Sequence, residues 1–484
     1  MNTKLSPVQM AAMVLGTALF IVSVVLSLSD VTPVAQAETY ASLNTTSDLD
    51  SAQLAATDPV TNTHLSDRDL SEADKGTSTE ASPGPAMPAA TYQVTNTNAS
   101  GPGSLYQAIL NTNANAGADT ITFAANVNGT IVLTGSLPAI AEALTINGPS
   151  ANVLAVSGAN AYGVFLINAS TAVTITGLTI RDGNAAVGGG INSAGTLVLN
   201  NTNIVSNTAD YGGGVFQSGS GRVDISNSLI EFNHCSQQGG GLYINGDVGL
   251  TDTLVLDNIA SRDGGGLTDW AGRTDLIGGM FAGNSAGGNG GGVNANNSLS
   301  INGTQFISNT AANGGGLLQW NPGYTVTVTN ARFERNHSGD NGGGLYVSGN
   351  TALTNTQVLS STAGNNGGGV YVNAGSATLS GVQIFSNTAS GGGEGGGVYV
   401  SASSPLIVTD STVSGNTGFN GGGIVNEGNT LTLTNSTLSG NQATSTGYGG
   451  GAIAQWGGQD FLIHSTGFLH LRSPPGTDSH PGCD

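Results

Sequence analysis

Residues 421–443 read GGGIVNEGNTLTLTNSTLSGNQA. Three glycines precede an apolar residue, a short alternating run follows, and the stretch closes on a hydrophobe, two spacers and Asn441. Glycine loses more conformational freedom on folding than any other residue, so consecutive glycines persist only where an architecture requires them. The arrangement recurs. Triplets begin at Gly188, Gly212, Gly239, Gly264, Gly290, Gly314, Gly342, Gly367, Gly395 and Gly421, with an eleventh at Gly449, at intervals of 24 to 28 residues. Each of the first ten is followed by Ile, Leu or Val. Nine units end in hydrophobe-x-x-Asn, at Asn207, Asn233, Asn258, Asn284, Asn309, Asn336, Asn387, Asn416 and Asn441. One unit departs from the rule, with Val358 followed by Ser361.

A period in this range marks a solenoid. Units of about 26 residues hold about three short strands with their turns and leave no room for a crossover helix. Runs such as LVLNNT, LSINGT and VTVTNA are rich in Val, Thr and Asn, which favour strands and turns. Alternation puts Leu, Ile, Val and Phe inward and Thr, Ser and Asn outward. One unit cannot close a core, so units must stack, each strand pairing in parallel with its equivalent above. The expectation is a single-stranded parallel β-helix. Leucine-rich repeats share the period, but their L-x-x-L-x-L pattern does not recur here. In such a spiral the glycines belong at one repeated corner, where neighbouring coils approach closely, and the asparagines form a ladder of amides passing hydrogen bonds from coil to coil. Ser361 is then a weak rung.

Residues 1–37 carry Lys4, an apolar run from Met10 to Leu28 and the small-x-small sequence Ala35-Gln36-Ala37, the pattern of a signal peptide cleaved before Glu38. The run is also long enough to remain as an anchor. Residues 38–90 hold nine acidic and two basic residues without apolar periodicity, the composition of a disordered linker. Residues 91–187 read as an N-terminal cap and the first coils. Within them Leu105, Ala108 and Ile109 fall at helical spacing behind Ser104, a suitable N-cap. The glycine-triplet repeats occupy 188–461, and 462–484 form an irregular tail that departs from the pattern, as a truncated or frame-altered end does.

Net charge is −20 and lysine occurs only at Lys4 and Lys75, so the basic patches that a nucleic-acid partner needs are missing. Membrane contact is expected only through the N-terminal segment, if it stays uncleaved. Cys235 and Cys483 read as two unpaired thiols. The densest acidic run, Asp247 to Asp275 with Arg262 and Arg273, reads as solvated turn residues; a groove or metal site is the competing reading. Asp263 and Asp340 sit just before triplets, but no Ca²⁺-binding nonapeptide repeat accompanies them. His234 and His337 lie four units apart, about 19 Å, and cannot share a metal. Trp270, Trp320 and Trp456 read as core or corner packing, with sugar-stacking platforms as the other reading. No catalytic, cofactor or metal residues are assigned.

The pairing of the glycine motif with hydrophobe-x-x-Asn resembles the repeats of bacterial polymorphic outer membrane proteins, whose motifs are GGA before Ile, Leu or Val, and FxxN. FAGN at Phe281, FISN at Phe306 and FERN at Phe333 match the second motif outright. TNTNASGPGSLYQAILNTNANAGADTITF, residues 95–123, is similar to the N-terminal region of surface proteins of the CSLREA type, with Gly103 to Ile109 standing at the signature, though without its Cys, Arg and Glu. The resemblance implies a right-handed β-helix in an exported, surface-located, adhesin-like protein. The expectation is therefore a non-enzymatic protein without cofactor. Its partner is expected to be an unidentified surface ligand, either a carbohydrate or another cell surface. The alternative is a polysaccharide-binding or polysaccharide-cleaving β-helix.

Overall fold

The computed structural model describes residues 88–401, 404–427, 430–446, 449–455, 461–464 and 470–472. The signal peptide, nearly all of the linker, Trp456 and Cys483 lie outside the described residues. The chain forms a right-handed parallel β-helix. One coil, residues 290–313, shows the plan. After the triplet come Val293–Ala295 in sheet I, Ser298–Asn302 in sheet II, Gln305–Ile307 in sheet III and Thr310–Ala311 in sheet IV. Every strand pairs in parallel with its equivalents: Val293 with Leu267 and Leu317, Leu299 with Thr274 and Val326, Phe306 with Phe281 and Phe333. Sheets I to IV contain 12, 15, 14 and 10 strands among the described residues.

The fourth sheet is a correction to the three strands expected per coil. Most of its strands have two residues, as in Thr310–Ala311, Thr362–Ala363 and Thr388–Ala389. That is too short to show alternation in the sequence. One small residue points in and one polar residue points out, just enough to carry the chain from the asparagine corner to the triplet. The interior is filled by like residues in columns. Phe281, Phe306 and Phe333 stack with ring centroids 5.3 and 4.5 Å apart, and all three are buried.

The glycines have different reasons. Gly290 has φ +64°, a left-handed conformation costly for a residue with a side chain. A Cβ on Gly291 would lie 2.5 Å from the carbonyl oxygens of both Gly315 and Thr310, so it is the next coil that forbids one. Two further corners turn through left-handed residues: Asn330, Asn355 and Asn435 between sheets II and III, and Ser308, Ser360 and Ser386 just before the asparagine position.

The asparagines form an internal ladder. Asn309 Nδ2 donates to Asn336 Oδ1 at 3.0 Å and to the Phe281 carbonyl at 2.9 Å, and the Asn309 N–H donates to the same Asn336 Oδ1 at 3.0 Å. The pattern repeats from Asn207 to Asn309 and from Asn387 to Asn441. At Ser361 it changes. Ser361 N–H still donates to Asn387 Oδ1 at 2.9 Å, but its hydroxyl turns to the Leu359 carbonyl and presents no amide oxygen to Asn336.

At the N-terminal end, Thr91–Val94 opens sheet II, and the helix Leu105–Asn113 buries Leu105, Ala108 and Ile109 against the first coils. Ser104 Oγ accepts from the Gln107 N–H at 3.2 Å, capping the helix. The helix covers an end that would otherwise expose a solenoid's apolar interior. At the other end Phe461–His464 and His470–Arg472 extend sheets II and III, so the spiral continues past the boundary drawn at 461.

Replacing Asn309 by Ala strands the Phe281 carbonyl and two donors of Asn284, each buried group costing about 1–3 kcal/mol. We expect a clear drop in the calorimetric melting temperature. Ser361→Asn should raise it, by about 1 kcal/mol of stability, because it restores the missing rung.

Candidate functional site

Outside the spiral the repeat relaxes, and the side chains that depart from it gather at one place. Along the outward face of sheet I the residue two places after each triplet from Gly212 to Gly395 runs Phe216, Tyr243, Thr268, Asn294, Leu318, Tyr346, Tyr371, Tyr399. Phe216 stacks on Tyr243 at 5.1 Å, and Tyr346, Tyr371 and Tyr399 stack at 4.8 and 5.1 Å. Between these two aromatic columns Thr268 and Asn294 leave a gap. A groove of about 470 Å³ opens beside that gap, lined by Asp263, Trp270, Asn289, Asn294, Asn313, Leu318, Trp320, Asp340, Asn341 and Tyr346.

One wall is aromatic. Trp270 and Trp320 occupy the turns that follow Leu267–Asp269 and Leu317–Gln319 in sheet I. Their coils stand two steps apart, about 9.5 Å. Their rings nonetheless approach edge to face at 6.0 Å, leaning together across the coil that carries Asn294. Trp320 is 43% exposed. The expectation of core or corner packing is therefore corrected for Trp320, which faces solvent. Trp270 Nε1 donates to Gln238 Oε1 at 3.0 Å, fixing its ring.

A second polar ladder also lines the groove, formed by the residue immediately before each triplet from Gly239 to Gly421. Gln238 Nε2 donates to Asp263 Oδ2 at 2.8 Å and the Asn289 N–H to Asp263 Oδ1 at 2.8 Å. Asn313, Asn341, Asn366, Glu394 and Asn420 continue the series through side-chain bonds of 2.7 to 3.3 Å. On the floor Asn294 is 4% exposed, and its Oδ1 has no hydrogen-bond partner. A buried carbonyl oxygen beside an open groove is suited to a hydroxyl donated by a ligand.

The acidic run does not converge. Asp275 pairs with Arg273 at 2.8 Å on the outside of sheet II, and Asp247 accepts from the Arg273 backbone N–H at 2.9 Å. Asp263 lies in the groove. Asp269 is not a solvated turn residue, because it points inward and is buried. Its Oδ2 accepts from Thr274 Oγ1 and Asn297 Nδ2, both at 2.5 Å. Burial pushes its carboxyl up from 3.8 to about 7, against the pull of the Thr274, Asn297 and Ala271 hydrogen bonds. Gln319 plays the same part beneath Trp320, donating through Nε2 to the Asn321 carbonyl at 2.6 Å and accepting from the Gly349 N–H at 2.9 Å. Each groove tryptophan thus follows an inward polar residue that pins its turn.

Asp263 and Asp340 belong to coils three steps apart, about 14 Å by strand spacing. That exceeds the roughly 5–9.5 Å between the paired carboxyls of glycosidases. His234 and His337 sit on sheet IV with three strands between them, and His337 Nδ1 pairs with Thr362 Oγ1 at 2.8 Å. Among the described residues no group of three metal-binding side chains occurs. Cys235 is buried, and burial pushes its thiol up to about 12, which keeps it unreactive. The sequence reading named Asp263, Asp340, Trp270 and Trp320 without bringing them together. It missed Asn289, Asn294, Asn313 and Asn341. The signal for three of these was present as a polar residue before each successive triplet.

No family model and no curated protein matches the chain. A solved structure to which it is similar is the catalytic unit of the thermostable GH87 alpha-1,3-glucanase of Streptomyces thermodiastaticus strain HF3-3, at 12% identity over 79% of this chain and 72% of that chain, with a TM-score of 0.42. Against that finding the expectation that the chain is not an enzyme is withdrawn. The similarity carries no activity, substrate or residue role over to this chain.

With its carboxyl held near 7 when folded and at the ordinary 3.8 when unfolded, Asp269 keeps a proton in the native state that the unfolded chain releases between those values. Stability should fall as pH rises through that window. Melting curves collected across it should show the slope, and Asp269→Asn should flatten it and raise the melting temperature at the alkaline end.

Proposed function

We propose that the chain is an exported, surface-located β-helix protein that binds a polysaccharide in the groove between Trp270 and Trp320 and the polar ladder through Asp263, Asn289, Asn313 and Asn341. The observation that carries this reading is the composition of the groove. Flat aromatic rings offer stacking surfaces for the apolar faces of sugar rings. Amides and carboxylates of the ladder offer bidentate partners for hydroxyl groups. Binding sites of this kind combine an aromatic surface with a few placed polar groups, and Asn294 supplies a buried acceptor in the same groove. Export rests on the N-terminal apolar run and Ala35-Gln36-Ala37, and surface location on the resemblance to bacterial surface repeats. A polysaccharide ligand on another cell gives such a protein an adhesin-like role.

Titration calorimetry against a panel of soluble oligosaccharides tests the reading, with indole fluorescence as a second readout. We expect saturable binding accompanied by a fluorescence change, weakened about tenfold or more by Trp320→Ala. Binding that is indifferent to Trp320→Ala and to Trp270→Ala places the ligand elsewhere and overturns the proposal.

A further inference from the structure

The groove does not end at its aromatic wall, and its charge is one-sided. Tyr346 lies in the groove, and the column continues through Tyr371, which is half-buried, to Tyr399, which is 5% exposed and serves as a buried base for the stack. Along the groove Trp270 and Trp320 on the turns, and Tyr346 and Tyr371 on the outward face of sheet I, therefore place aromatic rings in four of the five successive coils opening at Gly264, Gly290, Gly314, Gly342 and Gly367, the Gly290 coil presenting Asn294 instead. Four steps span about 19 Å along the axis.

Acidic groups follow that strip. Asp263 and Asp340 line the groove. Glu394 belongs to the polar ladder, where its Oε1 accepts from Asn420 Nδ2 at 2.7 Å. Asp340 and Glu427 stand close enough to Tyr371 that their charges help burial hold its phenol at about 12, and Glu427 hydrogen-bonds Tyr399. Among the described residues no lysine or arginine lines the groove, and Arg262, adjacent to Asp263 in the chain, does not reach it. A polyuronate brought to this strip would meet like charge throughout its length, whereas a chain carrying ammonium groups would meet carboxylates at intervals of a few coils. The unpartnered Asn294 oxygen is a further acceptor and offers nothing to an anionic ligand.

Resting on the polysaccharide-binding reading, we infer that the ligand is a linear amino-sugar polysaccharide, at least partly free of N-acetyl groups, lying parallel to the spiral axis from Trp270 to Tyr371. The aromatic rings receive the sugar faces, and Asp340 and Glu394 pair with the ammonium groups.

The test compares four probes by titration calorimetry on the full chain: a glucosamine hexamer, its dimer, a neutral glucose hexamer of the same linkage and a galacturonate hexamer. The glucosamine hexamer should bind tighter than the neutral one by about fivefold or more, through pairs each contributing up to about 1 kcal/mol, and this advantage should shrink with added salt. The galacturonate should not bind. Asp340→Asn and Glu394→Gln, which keep shape and hydrogen-bond acceptors, should weaken the glucosamine hexamer more than the neutral one and close most of the gap between them. Tyr371→Ala should weaken the hexamer more than the dimer, since the longer ligand spans that coil together with the tryptophans. If the neutral hexamer binds as tightly as the glucosamine hexamer, or the galacturonate binds comparably, the amino-sugar inference is overturned while the groove keeps its polysaccharide. If Tyr371→Ala affects both lengths equally, the axial placement is overturned. If none of the four binds, the inference falls together with the reading it rests on.

Discussion

Everything in this protein follows from one constraint, that each coil lies directly on the one below at the spacing of a parallel sheet. At about 4.8 Å there is no room for unlike groups to compensate for one another, so each column must repeat a residue class. Apolar columns stack as Phe281, Phe306 and Phe333 do. A polar group in the interior is tolerated only where a hydrogen-bond partner completes it, the next residue of the column in the asparagine ladder or the adjoining turn at Asp269 and Gln319. The asparagine ladder solves this by making each Oδ1 accept both the backbone and the side-chain N–H of the coil before it, while each Nδ2 also reaches back to a carbonyl. The corner that breaks the regular sheet pairing is thereby supplied with hydrogen bonds in a place water does not reach. Backbone-only corners solve the same problem differently. At the triplets, carbonyl oxygens of the next coil occupy the space where Cβ atoms would sit, so the close approach and the absence of side chains are one fact.

The same constraint leaves the outside free. An outward column can change residue without disturbing its neighbours' burial, and on sheet I it does. Aromatic residues stack at either end, and the gap at Thr268 and Asn294 between them opens the groove. A repetitive frame thus produces a non-repetitive site without an inserted loop.

Legibility divides along that line. The spiral, its period, the asparagine column and the capping helix at Leu105 are visible in the sequence because stacking forces them to recur, and recurrence is what a sequence displays. The fourth sheet was hidden by the brevity of its strands; Thr310–Ala311 offers one inward and one outward residue, which is no pattern. The groove was hidden for a stronger reason. Trp270, Asn289, Asn313 and Asp340 are distant in the chain and share no motif, and what unites them is the coil-to-coil superposition. Once triplets are aligned, the polar residue before each becomes a column and the two tryptophans fall at the same position of their units. The orientation of Asp269 could not be read at all. Its neighbours in the acidic run face outward, and only the odd position in the strand Leu267–Asp269 turns it inward.

That inward carboxyl also explains how rigid walls arise on a turn. Turns between sheets I and II vary in length from coil to coil, and a tryptophan placed on such a turn needs a fixed backbone if its ring is to serve as a platform. A buried polar side chain at the last residue of the sheet I strand provides it. Asp269 joins Thr274 of its own coil to Asn297 of the next, and Gln319 joins Asn321 to Gly349. Each ties a turn to the following coil. Burying these groups costs stability, most of all for a carboxyl, and an apolar residue at either position would pack more favourably. Ile244, Val347 and Val372, at the same position in coils whose turns carry no tryptophan, do so. Ser193, Gln217 and Asn426 are also buried polar residues at this position in coils without a tryptophan, so an inward polar side chain recurs at the end of the sheet I strand, and two of the turns it precedes carry the groove tryptophans.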